Sequence, residues 1–300
     1  MTTPPICNYE DSDYQDTFWE AGGRDYEDAV EAVAINRLMP RSGSRLLELG
    51  AGAGRNSSRY RGFQQVTLLD YSHSQLERAR DRLRCTQDPG NEYRFVAADI
   101  YRLPFASGVF DAATMIRTLH HLSEPVSALL QVRRVLQPEA VFILEYANKH
   151  NLKSILRYLL RRQDWNPFTR EPVEFVKLNY DFHPAAVRSW LEEAGFVLER
   201  QLTVSHFRIG LFKKVLPLKL LVWMDSIAQL TGDWWQMSPS VFTRSRTTQD
   251  GAPAAKVAFF ACPACGEPLA DTPPLIICPA CGKQYPVEDC IYDFRLTQNS

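Results

Sequence analysis

Apolar residues follow two alternating rhythms along the first half of the chain. Short apolar runs at Arg45–Leu49, Val66–Asp70, Tyr93–Ala97, Phe110–Ile116 and Val141–Tyr146 read as strands. Helical patterns lie before and between them, at Tyr26–Leu38 (stopped by Pro40), Ser74–Leu83 and Pro125–Leu136. Nearly continuous apolar strands alternating with helices predict an α/β fold, a parallel sheet covered on both faces. Beyond Tyr146, Asn151–Arg162 sets Leu152, Ile155, Leu156, Leu159 and Leu160 on one face, with Lys153, Arg157, Arg161 and Arg162 elsewhere. This reads as a surface helix with a solvated basic face, or as a contact for an anionic or lipid surface. A helix at His183–Ala194, ended by Gly195, precedes a strand at Phe196–Val204. Ile209–Leu230 reads as a second apolar helical segment and Val241–Arg246 as a last strand, while Thr247–Lys256 has the composition of a linker.

Charge and composition narrow the class. In 300 residues, 34 Lys+Arg against 35 Asp+Glu and 45% apolar residues exclude a wholly disordered chain and argue against a broad nucleic-acid face. No run of 18 apolar residues occurs, since even Val215–Met224 is broken by Lys219, so no transmembrane helix is expected; peripheral membrane contact stays open. The acidic start MTTPPICNYEDSDYQD lacks the layout of a signal peptide. Four of the seven cysteines form two Cys-x-x-Cys pairs, which indicates metal in a reducing, cytoplasmic setting.

The candidate chemistry centres on LLELGAGAGRN, Leu46–Asn56. A buried strand running into Gly50, Gly52 and Gly54 lets backbone approach a ligand, and a helix is expected to start near Arg55. Asp70 ends the second strand, where a carboxylate can accept both ribose hydroxyls. Asp99 follows the third strand, within reach of an adenine edge, and Glu48 precedes the first glycine. Any one of these acids alone could be a cap or a solvated loop end. Arg55 and Ser57 stand where a dinucleotide fingerprint needs a small residue, and no P-loop is present. A sulfonium ligand has no pyrophosphate and tolerates Glu48 beside the turn.

ELGAGAGRN with Asp70, followed by AADIYRLPFASGVFDAATMIRTLHHL, resembles the class I S-adenosylmethionine-dependent methyltransferases. It is most similar to the small-molecule branch that includes the ubiquinone and menaquinone C-methyltransferases. The resemblance covers Arg45–Tyr146 and, less fully, Phe182–Val204. It implies a Rossmann-like, seven-stranded, mostly parallel sheet in the order 3-2-1-4-5-7-6, its seventh strand antiparallel. It further implies that Glu48, Gly50 and Gly52 line the methionine part of the cofactor. Asp70 would hold the ribose, with Tyr71 near the adenine, and Asp99 with Ile100 would hold the adenine. LQPEA, Leu136–Ala140, departs from the family's Gly-Gly turn.

Methyl transfer is an in-line displacement in which proximity supplies much of the rate, and a base matters only when the acceptor must lose a proton early. His121 is the first choice for that base and His120 the second; the alternative is that both hold backbone. Arg117 faces either the cofactor carboxylate, an anionic substrate or a structural salt bridge, and Tyr180 and His183 are weaker candidates. Neither an Asn/Asp-Pro-Pro-aromatic run nor a Pro-Cys follows the fourth strand, which disfavours amino-methylating and cytosine-C5 types. Cys7, in a loose terminus, and Cys85 read as spare thiols.

Cys262-Pro-Ala-Cys265-Gly and Cys278-Pro-Ala-Cys281-Gly have the spacing of a four-thiolate structural zinc ribbon. With KQYPVEDCIYDFR the segment resembles the zinc-ribbon family that includes the small activator subunit of tRNA and protein methyltransferases, although Cys290 stands where glycine is common there. The expected organisation is a helical cap at 1–40 and a methyltransferase domain at 41–246 with substrate-side insertions near 147–181 and 205–240. A linker at 247–257 and a ribbon at 258–300 complete it, and the sheet is expected to stand without the ribbon. The favoured expectation is an S-adenosylmethionine-dependent enzyme acting on a small, lipophilic metabolite. The alternatives are an RNA or protein methyltransferase that uses the ribbon for recognition, and a non-catalytic cofactor-binding scaffold.

Overall fold

The computed structural model describes residues 4–11, 23–85, 92–208, 210–248 and 258–296. Helix α1 (Asp25–Leu38) leads into β1 (Gly43–Leu49), β2 (Phe63–Asp70), α2 (His73–Cys85), β3 (Glu92–Ala97), β4 (Phe110–Met115), α3 (Pro125–Val135) and β5 (Leu136–Ala147). The next stretch holds α4 (Leu152–Leu159), a hairpin of β6 (Val173–Val176) and β7 (Asn179–Asp181), α5 (Pro184–Glu193) and β8 (Phe196–Val204). After these come α6 (Gly210–Val215), α7 (Leu218–Ala228) and β9 (Ser240–Thr247). The C-terminal segment adds β10 (Phe260–Ala261), β11 (Pro268–Leu269), β12 (Leu275–Ile277), β13 (Gln284–Glu288) and β14 (Ile291–Asp293).

The central order β3-β2-β1-β4-β5-β9-β8 matches the expected strand arrangement, with β9 antiparallel to both neighbours. The sheet is nevertheless ten-stranded and mixed, not seven-stranded: β14 pairs in parallel with β3, Ile291 opposite Phe95, and β13 and β12 continue outward. Unpaired backbone groups on the β3 edge supply the template for that addition. The sheet's pleat divides the core. Leu46, Val66 and Leu68 face α1, α2 and α7, whereas Leu47, Leu49 and Val96 face α3, α5 and the C-terminal Phe260 and Phe294.

Two local expectations fail for identifiable reasons, and the structure defines two segments that the sequence left open. No α-helix starts at Arg55; a single 3-10 turn, Ser57–Arg59, intervenes before β2, because Ser57 is pinned to Glu48 and Asn56, Ser57 and Ser58 are weak helix formers. LQPEA is no turn: α3 passes directly into β5, which absorbs the segment with Glu139 at φ 63° and a register shift against β4. Ile209–Leu230 is not one helix, since Pro217, without an N–H, separates α6 from α7. The leucine face of α4 is not packed inward; Leu152, Leu156, Leu159 and Leu160 stay 49–65% exposed. The proposed linker beyond Thr248 and the Cys85 side chain lie outside the described residues.

Candidate active site

A cleft open to solvent lies at the carboxyl ends of β1, β2 and β4. Ligands bind at this edge in doubly wound sheets. The turn after β1 is held by two bonds to the Leu69 carbonyl, from Gly50 N–H (2.8 Å) and Ala51 N–H (3.1 Å). Gly50 has φ 67°, and a Cβ there would meet Thr118 Oγ1 at 2.1 Å, so no side chain fits. A Cβ on Gly52 (φ 50°) would meet no atom within 4 Å and would point into open space. That arrangement is a cradle for ligand atoms.

Asp70 closes the turn from the next strand. Its carboxylate accepts Gly52 N–H at 2.8 Å and Ser72 N–H at 2.9 Å, while burial pushes its acidity toward the protonated side. Glu48 is buried below the turn, accepting Ser57 Oγ–H at 2.5 Å and the Tyr60 hydroxyl at 3.3 Å. Burial outweighs those bonds and pushes it up to about 7. The folded protein therefore holds this proton more tightly than the unfolded chain does, and stability falls as pH rises from the ordinary carboxylate range through 7. Glu48→Gln is expected to raise the Tm at pH 8 by about 3 °C or more, with little gain at pH 5, while weakening donor binding. Scanning fluorimetry at both pH values checks this; equal gains would contradict it.

The cleft brings together most of the expected residues: Glu48, Gly50, Gly52, Asp70, Tyr71, Ile100, Arg117 and His121 all line it. Asp99 and His120 do not. Asp99, raised by burial, accepts the Tyr101 N–H at 2.9 Å. His120 is turned into the protein, and its Nδ1 has no hydrogen-bond partner among the described residues. Arg117 lines the cleft with φ 57°, its backbone N–H on Glu145 Oε2 (2.9 Å) and its side chain paired with Glu31 of α1. Burial would push the Glu31 carboxyl above the ordinary carboxylate range, yet the Arg117 and Arg55 guanidinium groups hold it below that range. Tyr180 and His183 stand outside the cleft, and His183 caps α5 by accepting Ala185 N–H (3.1 Å).

His121 is held at both ring nitrogens. Nδ1 lies 3.0 Å from the Leu178 carbonyl, which can only accept, so the ring proton sits there. Nε2 is then the acceptor, and the Tyr9 hydroxyl donates to it at 3.2 Å. Burial lowers the His121 basicity below the usual histidine range, keeping the ring neutral at pH 7.

Tyr9 belongs to a strap that the sequence reading passed over. Residues 4–11 are not a loose terminus: Ile6, Cys7 and Tyr9 form part of the cleft wall. Glu10 accepts the N–H groups of His73 (3.0 Å) and Ser74 (2.8 Å), capping α2. Arg295, just past β14, bonds Glu10 (3.2 Å) and the Tyr71 carbonyl (3.4 Å), so the 4–11 strap and the segment after β14 meet at the rim. An acidic residue able to cap Ser74 is the only signal for this in the sequence.

Among proteins of known kind, the family described as "Methyltransferase domain" matches residues 47–144. The chain is 31% identical over 181 residues to the ubiquinone/menaquinone biosynthesis C-methyltransferase UbiE of Roseobacter denitrificans, covering 56% of this chain and 72% of that one. It is also 31% identical over 138 residues to the O-methyltransferase cnsE of Penicillium expansum, covering 45% of this chain and 48% of that one. The chain thus spans between about half and three quarters of these relatives' length. Among solved structures, a chain from the complex between the Haloferax volcanii Trm112 methyltransferase activator and a methyltransferase superposes with a TM-score of 0.53. That match covers 79% of this chain and 95% of the other at 16% identity, a likeness of fold alone. Sequence match and sheet order agree with the glycine cradle and its carboxylates, and the chain belongs to the S-adenosylmethionine-dependent methyltransferases.

Proposed function

We propose that this enzyme methylates a small, lipophilic metabolite at the cleft beside His121. The observation that carries this reading is the apolar lining that Ile6, Ile116 and Leu122 give the cleft shared with His121. The likeness to a quinone C-methyltransferase supports the same class. The cradle fits the donor: Gly52 leaves open space at the turn, Asp70 suits the ribose hydroxyls, Ile100 and Tyr71 suit the adenine, and buried Glu48 suits the cationic methionine end. Bound there, S-adenosylmethionine supplies an electrophilic methyl group.

The chain's own residues orient and deprotonate. With its proton fixed on Nδ1 by Leu178, His121 presents the Nε2 lone pair to an acceptor that displaces the Tyr9 hydroxyl. Nε2 then takes the acceptor's proton as the new bond to carbon or oxygen forms. His121→Ala is expected to lower turnover about 100-fold or more while S-adenosylhomocysteine affinity stays within about twofold. The acid limb of the wild-type profile should lie below the ordinary histidine range, because burial favours the neutral ring. Unchanged turnover in the variant would leave proximity as the mechanism. A labelled-methyl screen against lipid, metabolite and RNA extracts tests the acceptor class; label recovered in RNA would overturn it.

We further infer that Cys262, Cys265, Cys278 and Cys281 hold a structural zinc ion. Their sulfurs lie within 4.8 Å of one another, with Cys262–Cys281 at 3.7 Å and Cys265–Cys278 at 3.5 Å. Tetrahedral zinc with bonds of about 2.3 Å sets its sulfurs about 3.8 Å apart, so the donor set fits. Gly266 N–H to Cys262 O (2.8 Å) and Gly282 N–H to Cys278 O (3.0 Å) repeat one knuckle twice.

A further inference from the structure

Helix α4 inverts the usual arrangement of an amphipathic surface helix. Its inward side carries Ser154, buried, with Ile155 and Tyr158 half-buried, whereas Leu152, Leu156, Leu159 and Leu160 face outward at 49–65% exposure. Exposed apolar patches of this kind mark interaction surfaces. Lys153 and Arg157 on the helix, and Arg161 and Arg162 just past its end, are exposed as well. No acidic residue occurs between 151 and 162.

The patch continues. Leu152 N–H bonds the Met237 carbonyl at 2.9 Å, setting the start of α4 beside Trp234 (81% exposed), Trp235 and Met237, all exposed. Indole rings at an apolar surface with a wet edge suit the headgroup level of a bilayer.

Beyond α4, Tyr158 packs edge-on to Phe168, and Trp165 to Phe175, tying the helix and its following loop to the β6–β7 hairpin. Leu178 of that hairpin holds His121. The exposed surface is therefore built onto the wall of the catalytic cleft.

We infer that this surface docks the enzyme on a bilayer containing anionic lipid, with the leucines and tryptophans entering the headgroup boundary and the four cations meeting lipid phosphates. Charge complementarity selects this occupant over a second copy of the chain, since a twofold contact centred on α4 would set the same four cations against each other. The inference builds on the lipophilic-acceptor reading, because docking here would place the cleft wall beside the phase that dissolves such an acceptor. Donor affinity is measured alongside, so failure of docking is distinguishable from failure of that reading.

The test is sedimentation of the full chain with vesicles of phosphatidylcholine alone, or of phosphatidylcholine with about one third phosphatidylglycerol. Partition onto the anionic vesicles is expected to exceed that onto neutral ones at least about tenfold, and to fall with added salt. Leu156→Glu with Leu159→Glu should abolish it. Arg157→Gln, Arg161→Gln and Arg162→Gln together should lower it by about a hundredfold, at about fivefold per charge. S-adenosylhomocysteine affinity should stay within about twofold in both variants, which shows that they fold. Wild-type protein that ignores anionic vesicles, or variants that still bind them, would overturn the inference. A wild-type oligomer split by the glutamates, without vesicle binding, would reassign the face to self-association and overturn it equally.

Discussion

Cys278→Ser with Cys281→Ser is expected to release one zinc per chain, lower the Tm by about 10 °C or more, and weaken S-adenosylhomocysteine binding at least about tenfold. Four-thiolate zinc contributes about 10–16 kcal/mol in small units, comparable to the whole stability of an ordinary domain. The segment from Phe260 to Phe294 buries few residues of its own, so without metal it should unfold. The sequence alone led to the expectation that donor binding would survive this loss. The geometry changes that outcome at three points. Unfolding strips β14 from β3, uncovering the edge at Phe95–Ala97. It removes Phe260 and Phe294 from the core shared with α3 and α5. It also withdraws Arg295 from Glu10 and Tyr71 at the cleft rim. Metal analysis, thermal unfolding and calorimetry read the three consequences separately. Unchanged Tm and affinity in a zinc-free double variant would show the segment to be an independent appendage.

Asp70→Ala should weaken donor binding by roughly 10- to 150-fold, the loss of about 1.5–3 kcal/mol for charge-assisted hydrogen bonds. Asp70 fixes the Gly52 and Ser72 N–H groups, and in the proposed donor site it would also offer lone pairs to a ribose. The alanine variant removes both. Thermal unfolding separates them: a small Tm change with a large affinity loss places the effect at the ligand, and calorimetry with unchanged affinity would remove Asp70 from the site.

The central sheet and the glycine turn were legible in the sequence because they rest on local signals. Continuous apolar runs such as Val66–Asp70 and a glycine triplet between strand and acid leave few alternatives. What escaped depends on partners distant in sequence. Nothing near Ile291 announces that it pairs with Phe95, nearly two hundred residues away, because a parallel pairing carries no turn to fix its register. The strap at Tyr9 was equally hidden, since its order comes from capping α2 and from Arg295. The leucines of α4 left the opposite question open. Their periodicity was read correctly as a helix, but periodicity does not say whether protein or something else covers the face.

A crystal structure of the chain with S-adenosylhomocysteine would locate the donor relative to the Gly50–Gly52 turn and Asp70. The ribose hydroxyls are expected within hydrogen-bond distance of the Asp70 carboxylate, the adenine beside Tyr71 and Ile100, and the sulfur facing the side of the cleft that holds His121. A nucleoside bound elsewhere, or crystals grown at millimolar ligand with none at the Gly50–Gly52 turn, would contradict that placement.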